Sequence, residues 1–214
     1  MKQFILIIFI ILFSFNLAQS QTQKPNISLD EKVRKFLAEQ KYNWTDLNVP
    51  EQDGKLLYDI IIKNNYKSAL EIGTSTGHSG IWIAWALSKT GGKLITIEID
   101  KSRHNKAIEN FKKAGLSDYI DARLADAHIL VKELPGPFDF IFSDADKEWY
   151  INYFKDLNPK LKIGGCFTAH NISRSGYAQG GTQEFLKYVQ SLTNYETTVD
   201  DSGSGLSISY KRKK

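Results

Sequence analysis

Residues 69–80 read Ala69-Leu70-Glu71-Ile72-Gly73-Thr74-Ser75-Thr76-Gly77-His78-Ser79-Gly80. An apolar run ends in an acidic residue, two glycines follow at Gly-x-x-x-Gly spacing, and an amphipathic helical pattern begins. This is a crossing from strand through loop to helix, built to bring backbone close to a ligand. The next apolar run ends in Glu98. A carboxylate at the tip of a second strand is the usual holder of a ribose diol. The glycine spacing departs from the dinucleotide pattern Gly-x-Gly-x-x-Gly, and the Lys-Ser/Thr of a phosphate loop is missing.

Outward from this stretch the pattern alternates. Apolar strand candidates fall at 68–72, 94–99, 119–125, 138–143 and 164–170, with helical patterns at 78–88, 101–114, 127–133 and 147–157 between them. Gly91-Gly92, Gly115, Pro135-Gly136-Pro137 and Gly164-Gly165 punctuate the junctions. Short continuous apolar strands alternating with helices predict a parallel sheet covered on both faces. The end differs. A helix over 182–192 is followed by strand patterns at 195–199 and 206–210, with the turn cluster Asp200–Gly205 between them. That predicts a terminal hairpin placing an antiparallel strand in the sheet. The expected fold is α/β: a Rossmann-like, doubly wound, mostly parallel seven-stranded sheet with a C-terminal antiparallel hairpin and helices on both faces. Such a sheet binds ligands at the carboxyl ends of its strands, where strand order reverses. A ligand with a ribose and no phosphate suits the glycine loop and Glu98, and S-adenosylmethionine is such a ligand.

Upstream, 29–40 has helical spacing at Val33, Phe36 and Leu37. Pro50, read as a first-turn residue, opens a second helix to about Asn64. Lys2 precedes a nearly unbroken apolar stretch, Phe4–Leu17, and then Ala18-Gln19-Ser20, with small residues where a signal peptidase reads. The expected division is a signal peptide at 1–20, a linker and helix at 21–44, and one domain at 45–214. This implies export to the periplasm or outside, with an uncleaved membrane anchor as the alternative and no stable membrane insertion after cleavage. Cys166 is the sole cysteine, so no internal disulfide exists, and its apolar strand setting makes it a core residue. Much of the net charge of +4 sits in Lys211-Arg212-Lys213-Lys214. That tail reads as a solvated end, with a nucleic-acid or lipid patch as the alternative. No nucleic-acid partner is expected.

With this order in place, the chain resembles the class I S-adenosylmethionine-dependent methyltransferases. More narrowly it is similar to the metal-dependent O-methyltransferases of the catechol and caffeoyl-coenzyme A type, over about 45–212. Four motifs carry the likeness. In Glu71-Ile72-Gly73-Thr74-Ser75-Thr76-Gly77-His78-Ser79, the resemblance implies a loop around the methionine part of the cofactor. It gives cofactor-binding roles to Glu71, Gly73, Ser75, Gly77 and Ser79, and a contact to Val49. In Leu94-Ile95-Thr96-Ile97-Glu98-Ile99-Asp100, it implies that Glu98 holds the ribose hydroxyls; Asp100 suits a helix cap. Ala125-Asp126-Ala127-His128 would lie beside adenine. Asp126 could accept from the exocyclic amine or serve only as a cap. Ser143-Asp144-Ala145-Asp146-Lys147 matches an Asp-x-x-Lys signature. Carried over, Asp144 binds a divalent metal and touches the cofactor, and Lys147 deprotonates or electrostatically prepares the acceptor hydroxyl.

The departure lies at Ala169-His170-Asn171, where the family usually has Asp-Asn. A metal held by Asp144, His170 and Asn171 has lost one hard oxygen ligand. Three readings stay open: a transition metal that tolerates imidazole, no metal with His170 as a catalytic general base, and ordinary magnesium. The polar loop 172–181 contains Arg174 and Tyr177 as candidate substrate contacts. Trp149, Tyr150 and Tyr153 have helical spacing that suits packing or subunit contact, with substrate stacking as the alternative. The leading expectation is an O-methyltransferase for a small hydroxylated, phenolic or catecholic acceptor. Alternatives are a cofactor-fold binding protein without turnover, and a methyltransferase acting on nitrogen, sulfur or a protein side chain. Relatives of this type are often homodimers, which makes a homodimer the expected assembly.

Overall fold

The computed structural model describes residues 27–173 and 180–213. The segment 1–20, Arg174 and Tyr177 lie outside the described residues.

Helix α1 (Leu29–Gln40) starts at a capping box: the Glu31 N–H donates to Ser28 Oγ at 3.2 Å, and the Ser28 N–H donates to Glu31 Oε2 at 3.0 Å. Its apolar stripe buries Val33 and Phe36. Helix α2 (Glu51–Asn64) begins one residue later than expected. Pro50, extended at ψ 156°, is the residue before the first turn, and the helix stops at Asn65 in the left-handed conformation, φ 52°.

Then follow β1 (Ser68–Ile72), α3 (His78–Thr90), β2 (Lys93–Glu98), α4 (Lys101–Ala114), β3 (Ile120–Leu124), α5 (Ala127–Glu133) and β4 (Phe138–Ser143). A short 3-10 turn at Lys147–Trp149 leads into α6 (Tyr150–Leu157), and the chain ends in β5 (Leu161–His170), α7 (Thr182–Gln190), β6 (Tyr195–Asp200) and β7 (Leu206–Lys211). The seven strands form one sheet in the order β3-β2-β1-β4-β5-β7-β6, with β1 to β5 parallel and β7 antiparallel to both its neighbours. Strand β5 starts earlier than its glycine pair suggested. Gly164-Gly165 is absorbed inside the strand, where the register with β4 shifts between Phe138 and Phe140.

Two cores flank the sheet. Val33, Leu57, Ile83 and Phe111 from α1 to α4 pack on one face, and Val131, Phe154, Phe185 and Val189 from α5 to α7 on the other. Tyr150 and Tyr153 are buried in the second core. Cys166 is fully buried, and burial pushes its thiol well above the usual range. In the basic tail Arg212 and Lys213 are exposed, and Lys211 is half-buried. Lys211 Nζ donates to the Asn158 and Leu161 carbonyls, and Arg212 pairs with Glu196. Among the described residues, no helix is long and apolar enough to cross a membrane.

Strand order reverses between β1 and β4, because β2 and β3 extend one way and β5 the other. The loops at the carboxyl ends of these strands open onto a common cavity.

Candidate active site

The cavity, about 560 Å³, is lined by Gly73, Ser75, Glu98, Asp126, Ala127, Asp144, Lys147, His170 and Asn171 among others. These came from five different loops of the sequence reading. Four more of the expected cofactor residues are placed elsewhere. Val49, Glu71, Gly77 and Ser79 do not line the cavity. Val49 is buried with its carbonyl accepting from His78 Nδ1 at 2.8 Å, and Gly77 backs onto Phe111. His78 Nε2 in turn accepts from Trp82 Nε1, which leaves the ring neutral, and burial lowers its pKa in the same sense. Glu71 lies fully buried behind the loop. It accepts from the Thr96 hydroxyl at 2.5 Å on one oxygen, while its other oxygen has no hydrogen-bond partner among the described residues. Burial, opposed by the Ser79 and Thr96 hydroxyls and aided by the Asp144 and Glu98 charges, pushes its carboxyl up to about 8.

The glycine loop is built around contact between β1 and β4. Gly73 has φ +94°, and a β-carbon there would sit 2.6 Å from the Asp144 carbonyl oxygen. That approach is open only to glycine. Glu98 is fixed from behind. Its Oε2 accepts the Ser75 N–H at 2.7 Å, and its Oε1 accepts the Ile99 and Asp100 N–H groups at 3.0 and 2.9 Å. Three backbone donors thus orient the carboxylate before any ligand arrives. Asp100 does cap α4, accepting from the Arg103 N–H at 2.8 Å.

A roof over this end was not foreseen. Arg103 pairs with both oxygens of Asp46 at 2.9 and 3.2 Å, Ser75 Oγ donates to the Asp46 carbonyl at 3.0 Å, and Asn48 bonds Thr76. Leu47, Asn48 and Arg103 consequently line the cavity. On the far wall, Asp126 caps α5 by accepting the His128 N–H at 2.9 Å. The His128 ring lies 2.9 Å from Asp126 and 3.3 Å from Asp146, and it stacks on Tyr153 with centroids 5.6 Å apart. Asp146, His128 and Tyr153 are cavity residues that the motifs did not assign.

The β4 and β5 ends carry the charged groups. Lys147 Nζ lies 3.5 Å from Asp144 Oδ1. His170 Nδ1 lies 3.1 Å from Asp144 Oδ2, an ion-pair contact that falls short of a linear hydrogen bond. His170 Nε2 lies 2.8 Å from Asp53 Oδ2, on the first turn of α2. Burial alone would lower the imidazole pKa; the Asp144 and Asp53 carboxylates outweigh it and push it up to about 9.

Asp144, His170 and Asn171 stand together at the ends of β4 and β5. For a hard ion such as magnesium this donor set is a poor fit, with one carboxylate, one imidazole and one amide, and Asp144 already faces His170 and Lys147. Among the described residues, no cluster of three His, Cys, Asp or Glu side chains could hold an ion. The raised imidazole works against His170 as a general base at neutral pH, where such a group must be unprotonated.

The geometry has the form of a nucleoside-binding cleft beside a lysine. The chain is 33% identical over 141 residues to caffeoyl-CoA O-methyltransferase 1 of Eucalyptus globulus, covering 64% of this chain and 57% of that protein. It is 38% identical over 134 residues to the catechol O-methyltransferase of Niastella koreensis, covering 61% and 60%. The match thus spans less than two thirds of these curated relatives. Among solved structures, an O-methyltransferase from Bacillus cereus in complex with SAH superposes with TM-score 0.73 at 25% identity, over 88% of this chain and 94% of that one. The Podospora anserina methyltransferase PaMTH1, at 19% identity and TM-score 0.75 over 86% and 88%, shows the shared fold. The family model described as O-methyltransferase matches residues 19–201. On that match, together with the sheet order and the switch-point cavity, the chain belongs to the O-methyltransferase family.

Proposed function

We propose that this chain transfers a methyl group from S-adenosylmethionine to a hydroxyl of a small phenolic or catecholic acceptor. The observation that carries the reading is the convergence of Gly73, Ser75, Glu98, Asp144 and Lys147 on one switch-point cavity. The names of the catechol and caffeoyl-CoA relatives support it.

When bound, S-adenosylmethionine supplies an electrophilic methyl on a sulfonium. Glu98 receives the two ribose hydroxyls, since a carboxylate pinned by three backbone N–H groups still has acceptor capacity toward the cavity. Gly73 and Ser75 present backbone at close range, and Asp126 and Ala127 form the wall assigned to adenine. Lys147 serves the acceptor. The acceptor hydroxyl gives its proton to solvent water, the Lys147 ammonium stabilises the phenolate that remains, and the cavity walls hold that nucleophilic oxygen in line with the methyl. The reading routes no step through a metal: it takes His170 and Lys147, which face the two oxygens of Asp144, as the counter-charges there.

The test is transfer of labelled methyl to catechol by the wild type and by Lys147→Met, with and without chelator. Transfer should survive the chelator and fall by about 10²–10⁴-fold in Lys147→Met. Cofactor binding without transfer to any phenol would remove the acceptor class. Absence of cofactor binding would remove the whole reading.

We also propose that the chain is exported with cleavage after Ser20 and works as a homodimer. The supporting features are Lys2, the apolar Phe4–Leu17 and Ala18-Gln19-Ser20 for export, and the resemblance for assembly. Mass spectrometry of the mature N-terminus and sedimentation of the purified chain check these two statements.

A further inference from the structure

A second cavity, about 730 Å³, shares a wall with the first. Segment 44–50 is that wall: Leu47 and Asn48 line the first cavity, and Trp44, Asn48 and Val49 line the second. Three helix faces complete the enclosure. The floor is α3, where His78, Trp82 and Trp85 stand at i, i+4 and i+7 on one face. Trp44 stacks on His78 with centroids 4.5 Å apart, and Tyr58 of α2 lies 4.9 Å from Trp85. The polar edges of the floor are already engaged. Trp82 Nε1 donates to His78 Nε2 at 3.1 Å, and Trp85 Nε1 donates to Asp30 at 2.7 Å. What the floor offers a ligand is therefore aromatic carbon, which suits a planar ring.

The rim is charged, and its charges do not balance. On α1, Arg34, Leu37, Ala38 and Lys41 recur on one face, beside the Val33 and Phe36 stripe that faces the core. Across the cleft, α2 brings Glu51, Lys55 and Asp59, of which Lys55 and Asp59 pair with each other at 2.5 Å. Two cations are left against one acid. Arg34 lies 5.4 Å from the centroid of the Trp85 ring, and among the described residues neither Arg34 nor Lys41 is in a salt bridge. A guanidinium beside an aromatic floor matches a carboxylate carried on a ring, whereas a cationic ligand would meet two like charges on the α1 side. The volume is that of a small-molecule site.

We propose that this cleft between α1, α2 and α3 is a second ligand site, separate from the methyl-transfer cavity, and that it takes a planar aromatic carboxylate. The ring lies on the indole floor, and the carboxylate meets Arg34 or Lys41 at the α1 rim. Glu98, Asp144 and Lys147 all line the other cavity, so a molecule held here is bound and not methylated.

The test titrates 2-naphthoate into the full chain and follows the indole ¹⁵N–¹H signals of its four tryptophans. This probe has no hydroxyl to accept a methyl group, so the outcome is independent of the methyl-transfer reading. Trp44, Trp82 and Trp85 line the cleft, and Trp149, packed in the core on the opposite face of the sheet, is the internal control. The three cleft signals shift saturably, with a dissociation constant of about 1 mM or tighter for a ligand of this size, and Trp149 stays in place. Glu98→Ala, in the other cavity, leaves the affinity unchanged. Arg34→Gln and Lys41→Gln, both at exposed positions, each weaken binding about 2- to 5-fold, and the double variant weakens it roughly 10-fold. The uncharged 2-naphthamide binds more weakly than the carboxylate, and 2-naphthylmethylammonium more weakly still. Equal binding of the three probes, or preference for the ammonium, overturns the inference. A shift at Trp149 alone, or no shift at any indole, overturns it as well. Cleft signals that ignore the probe and change with protein concentration would give the cleft to a second copy of the chain instead.

Discussion

Glu71 makes a quantitative prediction. Its carboxyl is fully buried and held up at about 8 from an ordinary 4.5. Between those values the folded chain binds a proton that the unfolded chain has lost. The associated stability is complete below about pH 4.5 and is lost as pH rises through about 8. Integrated from about pH 5.5 to about pH 8.5, the loss is about 3 kcal/mol. Glu71→Gln has no proton to lose, and its amide oxygen can still accept from the Thr96 hydroxyl at the position of the 2.5 Å bond. Subtracting wild-type from variant stability cancels the titrating groups that do not interact with Glu71. That matters because raised His170 also destabilises the fold as pH climbs from about 6.5 to about 9, while buried neutral His78 acts in the opposite sense at low pH. Urea unfolding of both proteins at the two pH values gives the difference. The variant should gain about 3 kcal/mol on the wild type between them, which corresponds to roughly 6–12 °C in Tm for a domain of this size. Parallel pH curves for the two proteins would refute the burial argument. Cofactor affinity should survive the substitution, since Glu71 does not line the cavity.

Other substitutions separate fold from chemistry. Gly73→Ala forces a β-carbon to 2.6 Å from the Asp144 carbonyl at a positive φ, and should destabilise the fold by about 1–3 kcal/mol by denaturant titration. Asp46→Ala removes the bidentate Arg103 pair over the cavity. It should weaken cofactor binding while Tm moves little, as expected for a half-exposed ion pair worth about 1 kcal/mol or less. Manganese, zinc or magnesium added to the wild type should leave the transfer rate unchanged, as read by the labelled-methyl assay.

The alternation of apolar runs and helical patterns was enough to place all seven strands and the sheet's ending. Continuous apolar strands have few alternatives once Gly and Pro mark their ends, and the structure departs from them by a few residues. The exception is the start of β5, where a glycine pair that reads as a stop is accommodated as an irregularity inside a strand. The site was legible where a motif sits in one continuous loop: Gly73, Ser75, Glu98, Asp126, Asp144 and Lys147 all reach the cavity. It was illegible where function comes from distant pairing. Asp53 reads as an ordinary acid in a first helical turn, and its meaning depends on Ser204 and His170 far along the chain. Asp46 and Arg103 likewise meet only through folding. Glu71 and Gly77, from the same motif, meet Thr96 and Phe111 rather than the cavity.

The most direct measurement is a calorimetric titration of S-adenosylmethionine into the wild type, with and without chelator, and into Glu98→Ala, whose fold is checked by circular dichroism. Saturable binding that is unaffected by chelator and abolished in Glu98→Ala is the predicted result. No binding to the wild type, or equal binding to a folded Glu98→Ala, would contradict the assignment of the cavity.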